Sequence, residues 1–226
     1  MKIMKIERKL EVVMKKMLFA AVMMSIMVMS GCGDGGGSTT STVVAPAPSV
    51  VTRIASSMAS DGDILNGTTV SPLNAPSVFA GINPFSPSEF RAFLDFPLTG
   101  AVPGNAFIES AKLEIFINSI ILDPAASSIP IRIELVAFPT QTLQPSDYSR
   151  VILPPLAFTT IIPPISSADV LRRITIDVTS LMIEAQNRGL GNFQIRILED
   201  DGFVFPGLIE INDTNAQAPV LEVTYH

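Results

Sequence analysis

The sequence contains no tryptophan, two tyrosines, one histidine and one cysteine, and each scarcity excludes something. A single cysteine, Cys32, rules out an intrachain disulfide and a cysteine-built zinc site. The only histidine, His226, stands last, a poor place for the oriented, partly buried base of a Ser/His/Asp or Cys/His relay. Bases are scarce as well. Six of the 15 Lys and Arg and two of the 21 Asp and Glu fall in the first 31 positions, leaving 9 bases against 19 acids downstream, a net of about −10. Such a surface repels nucleic acid, whose binding rests on neutralising phosphates. It also repels anionic lipid, so any membrane attachment must come from a covalent lipid.

What is present begins with an address. Lys15 and Lys16 precede thirteen uncharged residues, Met17 to Met29, followed by Ser30-Gly31-Cys32. A basic segment, an apolar run and a small-residue processing site in that order specify secretion. The run falls short of the roughly 20 residues a membrane-spanning helix needs. The segment resembles a bacterial lipoprotein signal, which implies that residues 1–31 are removed and that the Cys32 thiol is acylated. Glu7 and Glu11 are unusual so early in a signal, and Met14 offers an alternative start. Residues 33–49 are rich in Gly, Ser, Thr and Pro and read as a flexible tether reaching on the order of 20 to 25 Å. Gly33 follows the cysteine where inner-membrane lipoproteins often carry Asp, so the expected destination is the outer membrane, facing the periplasm or the cell exterior.

Residues 50–226 read as one all-β domain. Ile, Val, Leu and Phe are abundant, and 18 prolines and 14 glycines punctuate them, a composition that favours short strands and turns over helices. Phe90–Leu98 places Ala92, Leu94 and Phe96 on one side and Arg91, Phe93 and Asp95 on the other. Ile108–Asn118 alternates Ala111, Leu113, Ile115 and Ile117 with Lys112, Glu114, Phe116 and Asn118. In Pro130–Phe138, Ile131, Ile133, Leu135 and Ala137 face inward, with Arg132, Glu134, Val136 and Phe138 outward. Period-two alternation predicts antiparallel sheets with one covered face. Phe116, Val136 and Phe138 on the outer side form either a binding patch or the underside of a covering loop or helix. Leu156–Ile161, between Pro154-Pro155 and Pro163-Pro164, suits an edge strand. Further strands are expected at 50–55, 77–81, 173–178, 192–198, 203–211 and 219–225. A short helix capped by Thr179 or Ser180 should run through Leu181, Met182 and Ala185 to Gly189. Nine or ten strands and one helix make a two-sheet antiparallel β-sandwich or jelly roll.

The motifs Phe90-Arg91-Ala92-Phe93-Leu94-Asp95-Phe96, Ile108-Glu109-Ser110-Ala111-Lys112-Leu113-Glu114-Ile115, Ile174-Thr175-Ile176-Asp177-Val178-Thr179 and Pro219-Val220-Leu221-Glu222-Val223-Thr224-Tyr225 resemble the secreted β-sandwich family called DNRLRE, a disaggregatase-related domain grouped with carbohydrate-binding modules. The Asn-Arg-Leu-Arg-Glu string that names the family is absent. The resemblance implies a cell-surface sandwich that binds glycan or envelope protein rather than catalysing a reaction.

Candidate sites are few. Tyr148, with Arg150 beside it, is the better placed tyrosine to stack on a sugar and pair with an acidic one; an ordinary loop tyrosine covering the sandwich edge is the plain alternative. Oxygen-rich turns bring Asp61, Asp63, Asp200, Asp201 and Asp213, ligands of the kind calcium takes in sets of about six to eight oxygens, and equally ordinary turn formers. Most remaining carboxylates alternate outward beside Lys and Arg, which suits cross-strand pairs better than a polysaccharide-cleaving acid pair. The expected role is adhesion, scaffolding or partner binding, with recognition of acidic polysaccharide as the alternative and catalysis the least expected.

Overall fold

The structure, a computed structural model, describes residues 48–200 and 205–226. Among the described residues fourteen strands appear: β1 (Val50–Ala55), β2 (Gly62–Leu65), β3 (Thr69–Val70), β4 (Ser77–Asn83), β5 (Ser88–Pro97), β6 (Ile108–Leu122), β7 (Ser128–Ile129), β8 (Ile131–Val136), β9 (Ala157–Thr160), β10 (Ile165–Ser166), β11 (Arg172–Asp177), β12 (Asn192–Glu199), β13 (Gly207–Asn212) and β14 (Val220–Tyr225). One α-helix among the described residues, α1 (Thr179–Asn187), joins β11 to β12. The all-β antiparallel architecture expected from the alternation is the one found. The excess over nine or ten strands comes from two-residue pairings and from β2 and β3, inside a passage rich in turn formers.

Twelve strands form one sheet that curls into two facing layers. Lys112 to Glu114 of β6 pair with β14 on one side and β11 on the other, and Ile117 pairs with both β11 and β13. β13 and β14 therefore lie in series along the same edge of β6. Phe93 pairs with Gly62 and Arg196, and Phe90 with Leu65 and Gly81, so β4 and β12 likewise share one edge of β5. The first layer is β1-β14-β6-β11 and the second is β3-β2-β5-β12-β8-β9, with β13 and β4 turning the corner between them. The corner is tight: Gly81 has φ +113, and a β-carbon there would collide with the Gly207 carbonyl.

Between the layers, Ile54, Leu113, Ile115, Ile176 and Val223 meet Leu94, Phe96, Ile133, Phe193 and Ile195 in a continuous core. Each such side chain contributes roughly 1.5–3 kcal/mol by leaving water. Leu181, Met182 and Ala185 of α1 close the core, and Gly189 takes φ +65 beyond the helix end. The cap expected at Thr179 or Ser180 is not found: the helix starts after Val178 with no side-chain cap. Asp177 Oδ1 accepts the Thr179 N–H, while the Thr179 hydroxyl is drawn to the backbone of Ala111.

The outer face of the second layer departs most from expectation. β8 stops at Val136, so Ala137 is exposed and Phe138 is buried, the reverse of simple alternation. Phe93, Val136, Phe138, Ile64 and Leu143 form a second, smaller core, packed by Val70, Tyr148 and Leu153. Phe93 and Phe138 meet edge to face, 5.5 Å between centroids. The segment 137–156 is thus a strap across the second layer, and the apolar residues at 136 and 138 are its underside. Phe116, in the first layer, is half-buried.

Candidate functional site

The strap covers charge as well as apolar surface. Glu134 and Arg196 are cross-strand partners on β8 and β12 and are both fully buried. Glu134 Oε2 accepts from Arg196 Nε at 2.9 Å and Nη2 at 2.5 Å, and Arg196 Nη1 donates to the Asp147 carbonyl of the strap at 2.9 Å. Burial pulls the Arg196 pKa down, and the Glu134 contact opposes that pull. Glu134 Oε1 lies 3.0 Å from both Arg132 Nε and Arg150 Nε. The contact with Arg132 has ion-pair distance without hydrogen-bond alignment. One carboxylate therefore touches three guanidinium groups. Arg132 also covers the ring of Phe158, 3.6 Å from its centroid, and that ring is 55% exposed at the sheet edge.

Tyr148 and Arg150, expected as a stacking platform with its cation, both belong to this strap. The Tyr148 hydroxyl donates to Glu89 Oε2 at 2.6 Å, and the Arg91 guanidinium lies 3.9 Å from the ring centroid. Gly67 sits against the same ring, so closely that a β-carbon would be 3.0 Å from Cδ1. Burial and the Glu89 acceptor push the phenol pKa up to about 12. The ring is thus engaged in fastening the strap, as in the plain reading. Arg150 remains partly exposed while paired with Glu134. Phe158, Arg132, Glu134 and Arg196 were missed from sequence. The available signal was Val136 and Phe138 outward on the same strand as Glu134, with Leu143 and Leu153 downstream to cover them.

The acidic residues proposed for calcium separate. Asp201 lies outside the described residues, as does Cys32. Asp200 accepts from Thr160 Oγ1 at 3.0 Å and lies 3.6 Å from Arg132, on the strap side. Asp63 is buried alone; it accepts the Phe79 N–H at 3.1 Å, and desolvation raises its pKa to about 6. Only Asp61 and Asp213 come together, both 1% exposed, at the seam between the layers. Asp61 Oδ1 accepts the Asp95 N–H of β5 at 2.7 Å, while Ser56 Oγ donates to Asp213 Oδ1 at 3.4 Å. Desolvation, reinforced by Asp213, raises Asp61 to about 9, and desolvation raises Asp213 to about 6. Asp61 Oδ2 has no hydrogen-bond partner among the described residues, which is the environment that favours the protonated acid. Among the described residues no three acidic, His or Cys side chains are grouped to hold a metal.

Two of the open clefts among the described residues lie away from the strap. One, of about 470 Å³, lies between Leu98–Gly104 and the end of α1, and is lined by Met182, Leu190, Tyr225 and much bare backbone. The other, of about 520 Å³, runs between β9 and β11, with Thr159, Thr175, Asp177, Thr179, Ile162 and Ile183 on its walls. The chain matches no family model and no curated protein sequence. The four motifs read against disaggregatase-related domains fall in β5, β6, β11 with the start of α1, and β14, and nothing in these comparisons identifies such a domain.

Proposed function

We propose that this chain is a lipoprotein of the bacterial cell envelope, held by an acylated Cys32 and presenting its sandwich as a non-catalytic body for adhesion, scaffolding or partner binding. The observation that carries this reading is the order Lys15-Lys16, an uncharged run to Met29, Ser30-Gly31-Cys32 and a Gly/Ser/Thr/Pro tether, ahead of a rigid all-β body. Metabolic labelling with palmitate tests it. The wild-type chain should carry label and fractionate with membranes, and Cys32→Ala should lose the label and shift toward the soluble fraction. A wild-type chain with a free thiol overturns it.

A second reading, binding of an acidic polysaccharide, is favoured by the exposed Phe158 ring against Arg132, with Arg150 on the same Glu134 carboxylate as Arg132. An aromatic face gives a sugar ring apolar contact, and adjacent guanidinium groups can pair with its carboxylate. Saturable binding of a uronate polymer that Phe158→Ala abolishes supports this reading. No binding, or binding that Phe158→Ala leaves unchanged, removes it.

A further inference from the structure

β11 is a six-residue strand, Arg172-Arg173-Ile174-Thr175-Ile176-Asp177, paired with β6 along one edge only among the described residues. The Val178 N–H donates to the Ala111 carbonyl at 2.9 Å. With the β6 register, this places the main-chain groups of the even-numbered residues toward β6. Those of Arg173, Thr175 and Asp177 therefore point to the open edge. Leu171, with φ +57, turns its own N–H back to Ile117 and begins the strand at a left-handed residue. An unpaired edge of this length is a template for another strand.

The strand is also complementary to itself. Turned by a two-fold axis through Thr175, a second copy sets Arg173 opposite Asp177, Thr175 opposite Thr175 and Ile174 opposite Ile176. The side chains of Arg173, Thr175 and Asp177 are exposed, whereas Ile176 is buried and Ile174 half-buried. The outer face of such a pair would carry two Arg–Asp contacts flanking a threonine pair, and its inner face would extend the isoleucine row of the core. Cross-strand pairs of these kinds are favourable, while like charges placed opposite are not. Arg173 now reaches only Gln217 Oε1 at 2.9 Å and the Ala218 carbonyl at 3.4 Å, with Glu114 at 3.9 Å, in exposed surroundings. Beside the edge, Ile162 is 87% and Leu171 69% exposed. Ile162 and Ile183 line the adjoining cleft with Thr175 and Asp177, leaving apolar surface for a partner to cover.

We propose that β11 pairs antiparallel with β11 of a second copy of this chain, joining two sandwiches edge to edge across a two-fold axis at Thr175. The full-length chain in detergent tests this by oxidative cross-linking. Opposed residues of a hydrogen-bonded antiparallel pair stand about 5.5 Å apart at Cα, within disulfide range. Thr175→Cys should therefore give a linked dimer that neither the wild type nor Ser127→Cys, in an exposed turn, produces. Arg173→Asp and Asp177→Arg should each weaken dimerisation, measured by sedimentation, about tenfold or more, since each replaces two attractive contacts by two repulsive ones. The double exchange Arg173→Asp/Asp177→Arg should restore it. Thr175→Pro removes an N–H directed to the open edge and should abolish the dimer while leaving the fold intact. A chain that stays monomeric throughout the concentration range, a dimer indifferent to the single charge reversals, or pairing through β11 with an extended segment of another protein in place of a second copy would each overturn the proposal.

Discussion

The outer faces of the two layers are written in the same sequence pattern and end in different environments. On the first layer, Arg53 of β1 pairs with Glu222 of β14 and with Glu114 of β6, the latter at 2.7 Å, and its side chain is half exposed. On the second, Glu134 and Arg196 face each other in the same cross-strand relation and are fully buried. The strap at 137–156 makes the difference, by laying Phe138, Leu143, Tyr148 and Leu153 over the second layer. Ion pairs alike in chemistry differ in consequence because water screens one and not the other. The largest test of this contrast is Glu134→Ala. It leaves the Arg196 guanidinium buried without its counter-charge, a change that costs about 3–5 kcal/mol and reads out as a lower denaturant midpoint.

A second test falls at Asp61 and Asp213, two buried carboxyl groups whose pKa values desolvation raises together. Unfolded aspartates have a pKa near 3.8, against about 9 and about 6 here. Between those values the folded chain holds protons that the unfolded chain has released, so stability is greatest in mild acid and falls as pH rises. Asp63 and Glu199 are also raised by burial and act in the same direction. Asp61→Asn places an amide donor against Asp213 at every pH. It should flatten the fall in melting temperature between about pH 5 and 9 relative to wild type, and an unchanged slope would refute the raised Asp61 pKa.

The first layer was legible because Ala111, Leu113, Ile115 and Ile117 alternate with polar residues, and one-sided burial writes itself as period two. The second was half legible. Its inward residues Leu94, Phe96, Ile131 and Ile133 were read, but Phe93, Glu134 and Val136 are buried by the strap, which has no period of its own. The candidate sites follow the same rule. Asp61 and Asp213 are far apart in sequence, and they meet only because Asp61 is held by Asp95 of β5 while Asp213 is held by Ser56, whose neighbour Ser57 bonds the Asp95 carbonyl. Tyr148 was legible as a residue type but not as a fastener, because Glu89, Arg91 and Gly67 reach it from other elements.

That fastening supplies a third test. Tyr148→Phe removes the hydroxyl donated to Glu89 and keeps the ring beside Arg91, and should lower stability by about 1 kcal/mol. Faster hydrogen exchange confined to 137–156 would localise the effect to the strap, whereas uniform loosening would deny the strap a separate existence.

The smallest expected effect is on the first layer, and it fixes the scale for the others. Arg53 touches two carboxylates, a geometry that on contacts alone rivals the Glu134 cluster. Its neighbour Glu114 is held below the usual carboxylate pKa chiefly by the Arg53 hydrogen bonds. Exposed side chains give up rotamer freedom to form such contacts, and water already solvates both partners well, so pairs of this kind are worth roughly 0.2–1 kcal/mol. Arg53→Ala should accordingly lower stability by about 1 kcal/mol at most, with the deficit shrinking in high salt as screening shortens the reach of the charges. A loss on the scale of Glu134→Ala would mean that cross-strand pairing sets the strength of these contacts and that the covering strap contributes little to it.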